Sequence, residues 1–196
     1  NASIERVDGD LEIRYGDNDR VLVYGAYLWD GSQRLLENIE FSDGTVLDKE
    51  AINHEASIRN GSDNNDSING YNGNCGYDVN ETLYGYGGDD IFYANEGNDT
   101  IYGGEGNDTL NGGDGDDHLL GEAGDDMLNG DKGDDAYFFN QGDGIDIINE
   151  WYGDDRIIFG SGILIGNIFM ERDGDHLVIR YSDQDSVTVN GAYQYG

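Results

Sequence analysis

Acidic side chains return at a fixed interval through the middle of this 196-residue chain. From Glu81 through Asp90, Asp99, Asp108, Asp117 and Asp126 to Asp135 they fall every nine residues, with Asp66 standing 15 before Glu81, Asp146 11 after Asp135 and Asp155 nine after that. Two positions after each stands an apolar residue: Ile68, Leu83, Phe92, Ile101, Leu110, Leu119, Leu128, Tyr137, Ile148 and Ile157. Carboxylates repeated so densely repel one another unless cations lie between them. The available donors are carboxylate oxygens and the carbonyls that neighbouring glycines leave accessible, a set that selects a hard cation. With no imidazole or thiolate at a recurring position, zinc is disfavoured. Several flexible oxygen sites favour calcium over magnesium, which prefers to keep its waters. Several bound Ca2+ ions are therefore the chemistry this spacing predicts.

The elements that must hold these carboxylates follow from the period. The frame reads GGEGNDTLN at 103–111, then GGDGDDHLL, GEAGDDMLN and GDKGDDAYF through Phe138. Backwards it gives ANEGNDTIY from Ala94, GYGGDDIFY from Gly85 and GSDNNDSIN at 61–69, with an insertion carrying Cys75 between the last two. A period of nine matches no helix face, and glycine inside a helix costs about 1 kcal/mol each. Six-residue glycine-rich turns followed by three extended residues let the chain coil instead. The eighth-position side chains then point inward as a narrow core, and successive coils stack as parallel strands about 4.8 Å apart. A disordered acidic tail would have no reason to keep acidic and apolar residues in phase.

Composition narrows the partners. Ten basic against 42 acidic residues give a formal charge of −32, which disfavours nucleic acid and anionic membrane surfaces. The single cysteine forms no internal disulfide. No apolar run approaches the length of a membrane span, the longest candidate being GILIGNIF at 162–169. The opening NASIERV and closing GAYQYG read as a piece cut from a larger protein.

The repeat G-G-x-G-x-D-x-U-x, with U apolar, resembles the calcium-binding nonapeptide of the RTX (repeats-in-toxin) family. The resemblance implies an all-β fold: a right-handed parallel β-roll in which two nonapeptides make one coil, with antiparallel flanking and capping segments. It also implies that each calcium lies between equivalent turns one coil apart, pairing Asp90 with Asp108, Asp108 with Asp126, Asp99 with Asp117, and Asp117 with Asp135. Carbonyls near Gly87, Gly104, Gly106, Gly113, Gly115 and Gly124 would complete the shells, and Asp66, Glu81, Asp146 and Asp155 would make end sites. Up to about eight ions would fit.

The flanks extend the resemblance. DDAYFFNQGDGIDIINEWYGDDRIIF at 134–159 is similar to the segment that caps repeat blocks in RTX adenylate cyclase toxins and haemolysins. Residues 10–50 resemble the haemolysin-type calcium-binding related segment, with LEIRY and VLVYGAY reading as antiparallel strands. The same text returns as DHLVIRYSDQDSVTVNGAY, 166 residues later, Leu11 matching Leu177, Tyr15 matching Tyr181, Asp19 matching Asp185 and Tyr27 matching Tyr193. Three segments are expected: 1–58 as the end of a preceding unit, 59–138 as the roll, and 139–196 as the cap and the start of the next flank.

Catalytic constellations are missing. The sequence has no H-E-x-x-H, no G-x-S-x-G, no phosphate loop and no EF-hand spacing, and its paired acids already serve the metal reading. His54, His118 and His176 read as surface residues. The expectation is a non-enzymatic, calcium-induced folding module of a secreted protein, such as a tandem-block adhesin or toxin. The resemblance implies export by a type I machine, with neighbouring blocks of the same chain as partners. Two rivals remain. One is an adhesive domain binding an extracellular glycan or protein through Tyr24, Tyr27, Trp29, Tyr71 and Tyr77. The other is the non-catalytic repeat module of a secreted lipase, protease or epimerase.

Overall fold

The computed structural model describes residues 2–7, 10–15, 19–23, 38–40, 46–48, 57–71, 79–150 and 152–193. Its centre is a parallel β-roll. One sheet stacks β6 (Ile58–Asn60), β8 (Thr82–Gly87), β10 (Thr100–Glu105), β12 (His118–Ala123), β14 (Ala136–Phe139) and β16 (Arg156–Phe159). The facing sheet stacks β7 (Ser67–Asn69), β9 (Ile91–Glu96), β11 (Thr109–Asp114), β13 (Met127–Lys132) and β15 (Ile145–Asn149). The chain alternates between the sheets, so partners within a sheet lie one coil apart, as in Ile101 beside Leu119 and Leu110 beside Leu128.

The expected core is present. Leu83, Phe92, Ile101, Leu110, Leu119 and Leu128 are fully buried, Ile68, Tyr137 and Ile148 nearly so, and Ile157 packs against them while partly exposed. The extended runs are longer than the three residues expected of each repeat. They continue through the first three positions of the next repeat, because the coil-to-coil hydrogen bonds persist there. The bend falls at the second and fourth positions, where φ is positive. Second-position Tyr86, Asn95, Glu122 and Asp131 adopt φ of 70–80°, and the fourth positions from Gly88 to Gly133 are glycines, with φ from 99° at Gly88 to 151° at Gly124.

The outward ninth positions differ between the sheets. On one, Tyr84 stacks on Tyr102 with ring centroids 4.9 Å apart. On the other, Asn111, Asn129, Asn149 and Asn190 form an amide ladder of 2.7–2.9 Å bonds.

Within 134–159, which resembles a capping segment, β14, β15 and β16 continue the roll, pairing in parallel with the strands before them. The end is covered by β17 (Phe169–Asp173), β18 (His176–Arg180) and β19 (Ser186–Asn190), an antiparallel meander whose β19 joins β15 in parallel. Near the N-terminus, β1 (Ala2–Val7), β2 (Asp10–Tyr15) and β3 (Asp19–Val23) form a three-stranded antiparallel sheet, as LEIRY and VLVYGAY suggested. A short antiparallel pair, β4 (Asn38–Glu40) and β5 (Val46–Asp48), follows.

Candidate metal centre

Sixth-position carboxylates line up in two columns, one along each edge of the roll. In the first, the backbone N–H of Asp66 donates to Asp90 Oδ1, Asp90 to Asp108, Asp108 to Asp126 and Asp126 to Asp146, at 2.7–3.0 Å. In the second, Glu81 donates to Asp99, Asp99 to Asp117, Asp117 to Asp135 and Asp135 to Asp155, at 2.6–2.9 Å. Every acidic residue singled out from the sequence therefore stands in a column, and the four expected same-side pairs are neighbours.

One oxygen of each carboxylate is used in this way; the other is not. The Oδ2 atoms of Asp90, Asp99, Asp108, Asp117, Asp126, Asp135 and Asp146 are buried without a hydrogen-bond partner. A buried, unpaired carboxylate oxygen carries a large desolvation cost, so these positions call for a cation. At the first-position glycines a main-chain carbonyl oxygen and the unpaired carboxylate oxygen converge. A methyl on Gly85 would sit 2.3 Å from Asp90 Oδ2 and 2.1 Å from the Gly103 carbonyl oxygen. The point above Gly103 lies 2.4 Å from Asp108 Oδ2 and 2.6 Å from Gly121 O. The donor set, all oxygen and partly main-chain, suits calcium and not zinc.

The sequence did not single out the first-position carbonyls of Gly103, Gly121 and Gly130. Their signal was the glycine at that position, needed because the space beside Cα belongs to the carboxylate. The carbonyls of Gly106, Gly115 and Gly124 press instead on the backbone of Gly124, Gly133 and Gly144 in the next coil. Gly104 and Gly113 lie over the carbonyls of Tyr86 and Asn95, and Gly87 in the third position faces the main chain of Glu105.

The fifth positions were also missed. Asn98 accepts from the N–H of Asp116, Asp116 from Asp134 and Asp134 from Asp154, at 2.9–3.1 Å. On the other edge Asp89 accepts from Asn107, and Asn107 from Asp125. These bonds run opposite in sense to those of the sixth positions, so each pair of coils is clamped in both directions. The signal was an Asn or Asp at every regular fifth position.

Electrostatics follow from burial. Burial pushes the Asp117 and Asp146 carboxyls up to about 8, Asp99, Asp126 and Asp135 to about 7, and Asp108 to about 6. The accepted N–H bond offsets part of each rise, while neighbouring carboxylates add to it. At the C-terminal end Asp135 and Asp155 meet Glu150, with oxygens of all three within 4.8 Å of one another. Glu150 stands in the first position of its turn, where the coils below have glycine, and accepts a hydrogen bond from the Tyr137 hydroxyl.

Glu81 departs from the pattern. Its Oε1 accepts from Arg59 Nε at 3.0 Å and its Oε2 from the Tyr71 N–H. Arg59 occupies an inward register position opposite Leu83, so a tethered guanidinium stands at the first coil where the interior coils present unpaired oxygens. Arg59→Met is expected to destabilise the N-terminal coil by about 3 kcal/mol in denaturant melts, with Glu81→Gln restoring part of the loss. Equal stability of Arg59→Met and the parent would show that this ion pair contributes nothing.

Residues 76–110, 102–137 and 111–148 match the family described as RTX calcium-binding nonapeptide repeat (4 copies). Residues 76–148 are an RTX calcium-binding array. Residues 10–51 match the haemolysin-type calcium binding protein related domain. RTX nonapeptides bind several calcium ions, and this roll presents columns of unpaired carboxylate oxygens. The repeats are a non-catalytic module, of a kind typical of secreted proteins exported by type I machines. No curated protein matches the chain. Among solved structures, the crystal structure of extracellular lipase LipA from Serratia marcescens is similar, at 15% identity and a TM-score of 0.43. That match covers 97% of this chain and 28% of the lipase chain, so the chain spans under a third of its length.

No helix among the described residues is long and apolar enough to cross a membrane. Of the histidines, His118 is exposed against the edge of Phe138, and His176 Nδ1 accepts the Gly191 N–H. Tyr71 is buried. Tyr24, Tyr27, Trp29, His54, Cys75, Tyr77 and Trp151 lie outside the described residues.

Proposed function

We propose that this chain is a calcium-triggered folding module of a secreted RTX protein, with one array of a tandem-block adhesin or toxin as its setting. The observation that carries the reading is the pair of columns of buried carboxylates whose Oδ2 atoms have no partner within the protein. Asp90, Asp99, Asp108, Asp117, Asp126, Asp135 and Asp146 would hold the ions, helped by first-position carbonyls. Bound calcium supplies positive charge between coils that otherwise repel. At low calcium the chain, with its charge of −32, stays open. At the millimolar calcium typical of extracellular modules, binding energy becomes folding energy.

Titration of the chelated protein at neutral pH tests this. A cooperative gain of far-UV β signal with calcium, absent with equimolar magnesium and reversed by chelator, is the expected outcome, with native mass spectrometry counting several ions. A chain that is equally folded with and without calcium would sink the trigger.

A further inference from the structure

The 166-residue repeat in the sequence is also a repeat of strand register. In the C-terminal meander Leu177 pairs with Val189 and Ile179 with Val187; in the N-terminal sheet Leu11 pairs with Val23 and Ile13 with Val21. The outer strands follow: Phe169 with Arg180 and Met170 with Ile179, against Ser3 with Arg14 and Ile4 with Ile13. Each of these positions differs by 166, so β1–β3 is a second copy of β17–β19.

The C-terminal copy shows what such a sheet does. Its β19 pairs in parallel with β15, the last coil of the roll on that side. Tyr181 is buried against Phe139 and Phe159, and Ile179 and Val187 are buried in the same core. Asp185 accepts from the N–H groups of Gly142 and Gly144 in the turn that leads into β15. The N-terminal copy keeps these seating residues as Tyr15, Ile13, Val21 and Asp19. It also repeats the Arg172–Tyr193 cation–π pair in sequence, as Arg6 and Tyr27. Other positions differ, among them Gly16 for Ser182, whose hydroxyl bonds Asp185, and Tyr24 for Asn190, which ends the amide ladder.

We infer that β1–β3 is an end-cap whose β3 edge takes, in parallel, the last strand of a second calcium roll of this chain's kind. The roll of this chain already has its last strand covered by β19. Among the described residues β3 pairs only with β2, which leaves its other edge for the terminal coil of a neighbouring block. An open strand edge presents unpaired backbone donors and acceptors and is a site of strand addition, and the parallel sense follows from the equivalent β19 beside β15. This inference rests on the reading of the roll as a calcium module and adds what joins one module to the next.

Grafting tests it within the full chain: residues 167–191 are replaced by residues 1–25. The expected result is a chain with the parent's calcium-induced β signal, a melting temperature in calcium within about 4 °C of the parent's, and slow amide exchange at β15. The reference is the same graft carrying Tyr15→Ala and Val21→Asp, which removes the seating residues and is expected to expose β15 to exchange. A graft no better protected at β15 than this reference overturns the inference, while the calcium response of the parent chain reports separately on the module itself.

Discussion

Chelating calcium at pH 8 is expected to unfold the roll, and acidifying the chelated protein to pH 5 is expected to bring back β signal. The folded-state carboxyls of Asp99, Asp108, Asp117, Asp126, Asp135 and Asp146 titrate at about 6 to 8, above the 3.8 of an open chain. Between about pH 4 and pH 8 the folded chain therefore binds more protons than the unfolded one, and stability falls as pH rises across that window. A proton on each Oδ2 removes the charge that calcium would otherwise balance. With calcium present the dependence on pH inverts, because protons compete for the same oxygens and the calcium midpoint drops as pH rises. Circular dichroism in chelator from pH 4 to pH 9 checks the first sign, and calcium titrations at several pH values check the second. A chelated protein that gains stability on going from pH 5 to pH 8 would refute the assignment of these carboxylates.

Gly124→Ala is expected to lose about 3 kcal/mol or more in saturating calcium. Its φ is 151°, and an added Cβ would lie 1.8 Å from the Gly106 carbonyl oxygen. Neither backbone can yield, because the coils are clamped by fifth- and sixth-position bonds on both sides of this contact, Asp125 N–H to Asn107 and Asp108 N–H to Asp126. The first position contrasts with this one. A Cβ at Gly121 meets the Asp126 side chain, nearest its unpaired Oδ2 at 2.1 Å, rather than backbone, and alanine already stands fully buried at the corresponding first position, Ala94. Gly121→Ala should therefore weaken calcium binding more than it weakens the fold. Thermal melts compare the two, since 1 kcal/mol moves the melting temperature of a chain this size by about 2–4 °C. Equal melting temperatures would show that the fourth-position contact is not tight.

The parallel roll and its core were readable because Asp and an apolar residue recur two positions apart at Asp108 and Leu110, Asp117 and Leu119, Asp126 and Leu128, and a period of nine leaves few other folds. The columns followed from the same frame. What escaped was chemistry that looks ordinary in a linear reading. Asn98 and Asp116 are exposed polar residues in an acidic chain, and only stacking shows that each accepts from the coil above it. Arg59 lies before the regular frame, so its partnership with Glu81 becomes visible only when β6 sets it opposite Leu83. The continuation of the roll through 134–159 was hidden for a related reason. Its looser spacing reads as a departure from the repeat, yet inserted residues at Gly142 bulge outward and leave Asp146 and Ile148 in phase.

Equivalent residues stacked 18 positions apart also fix how the array converts chain into reach. Eighteen extended residues span about 60 Å, whereas one closed coil advances the roll by a single strand spacing, about 4.8 Å. Each closure thus reels in at most about 55 Å of fully extended tether. If coils form only as calcium binds, as proposed, an object fastened beyond one end would be hauled toward the other, and the array would write an ion concentration as a length.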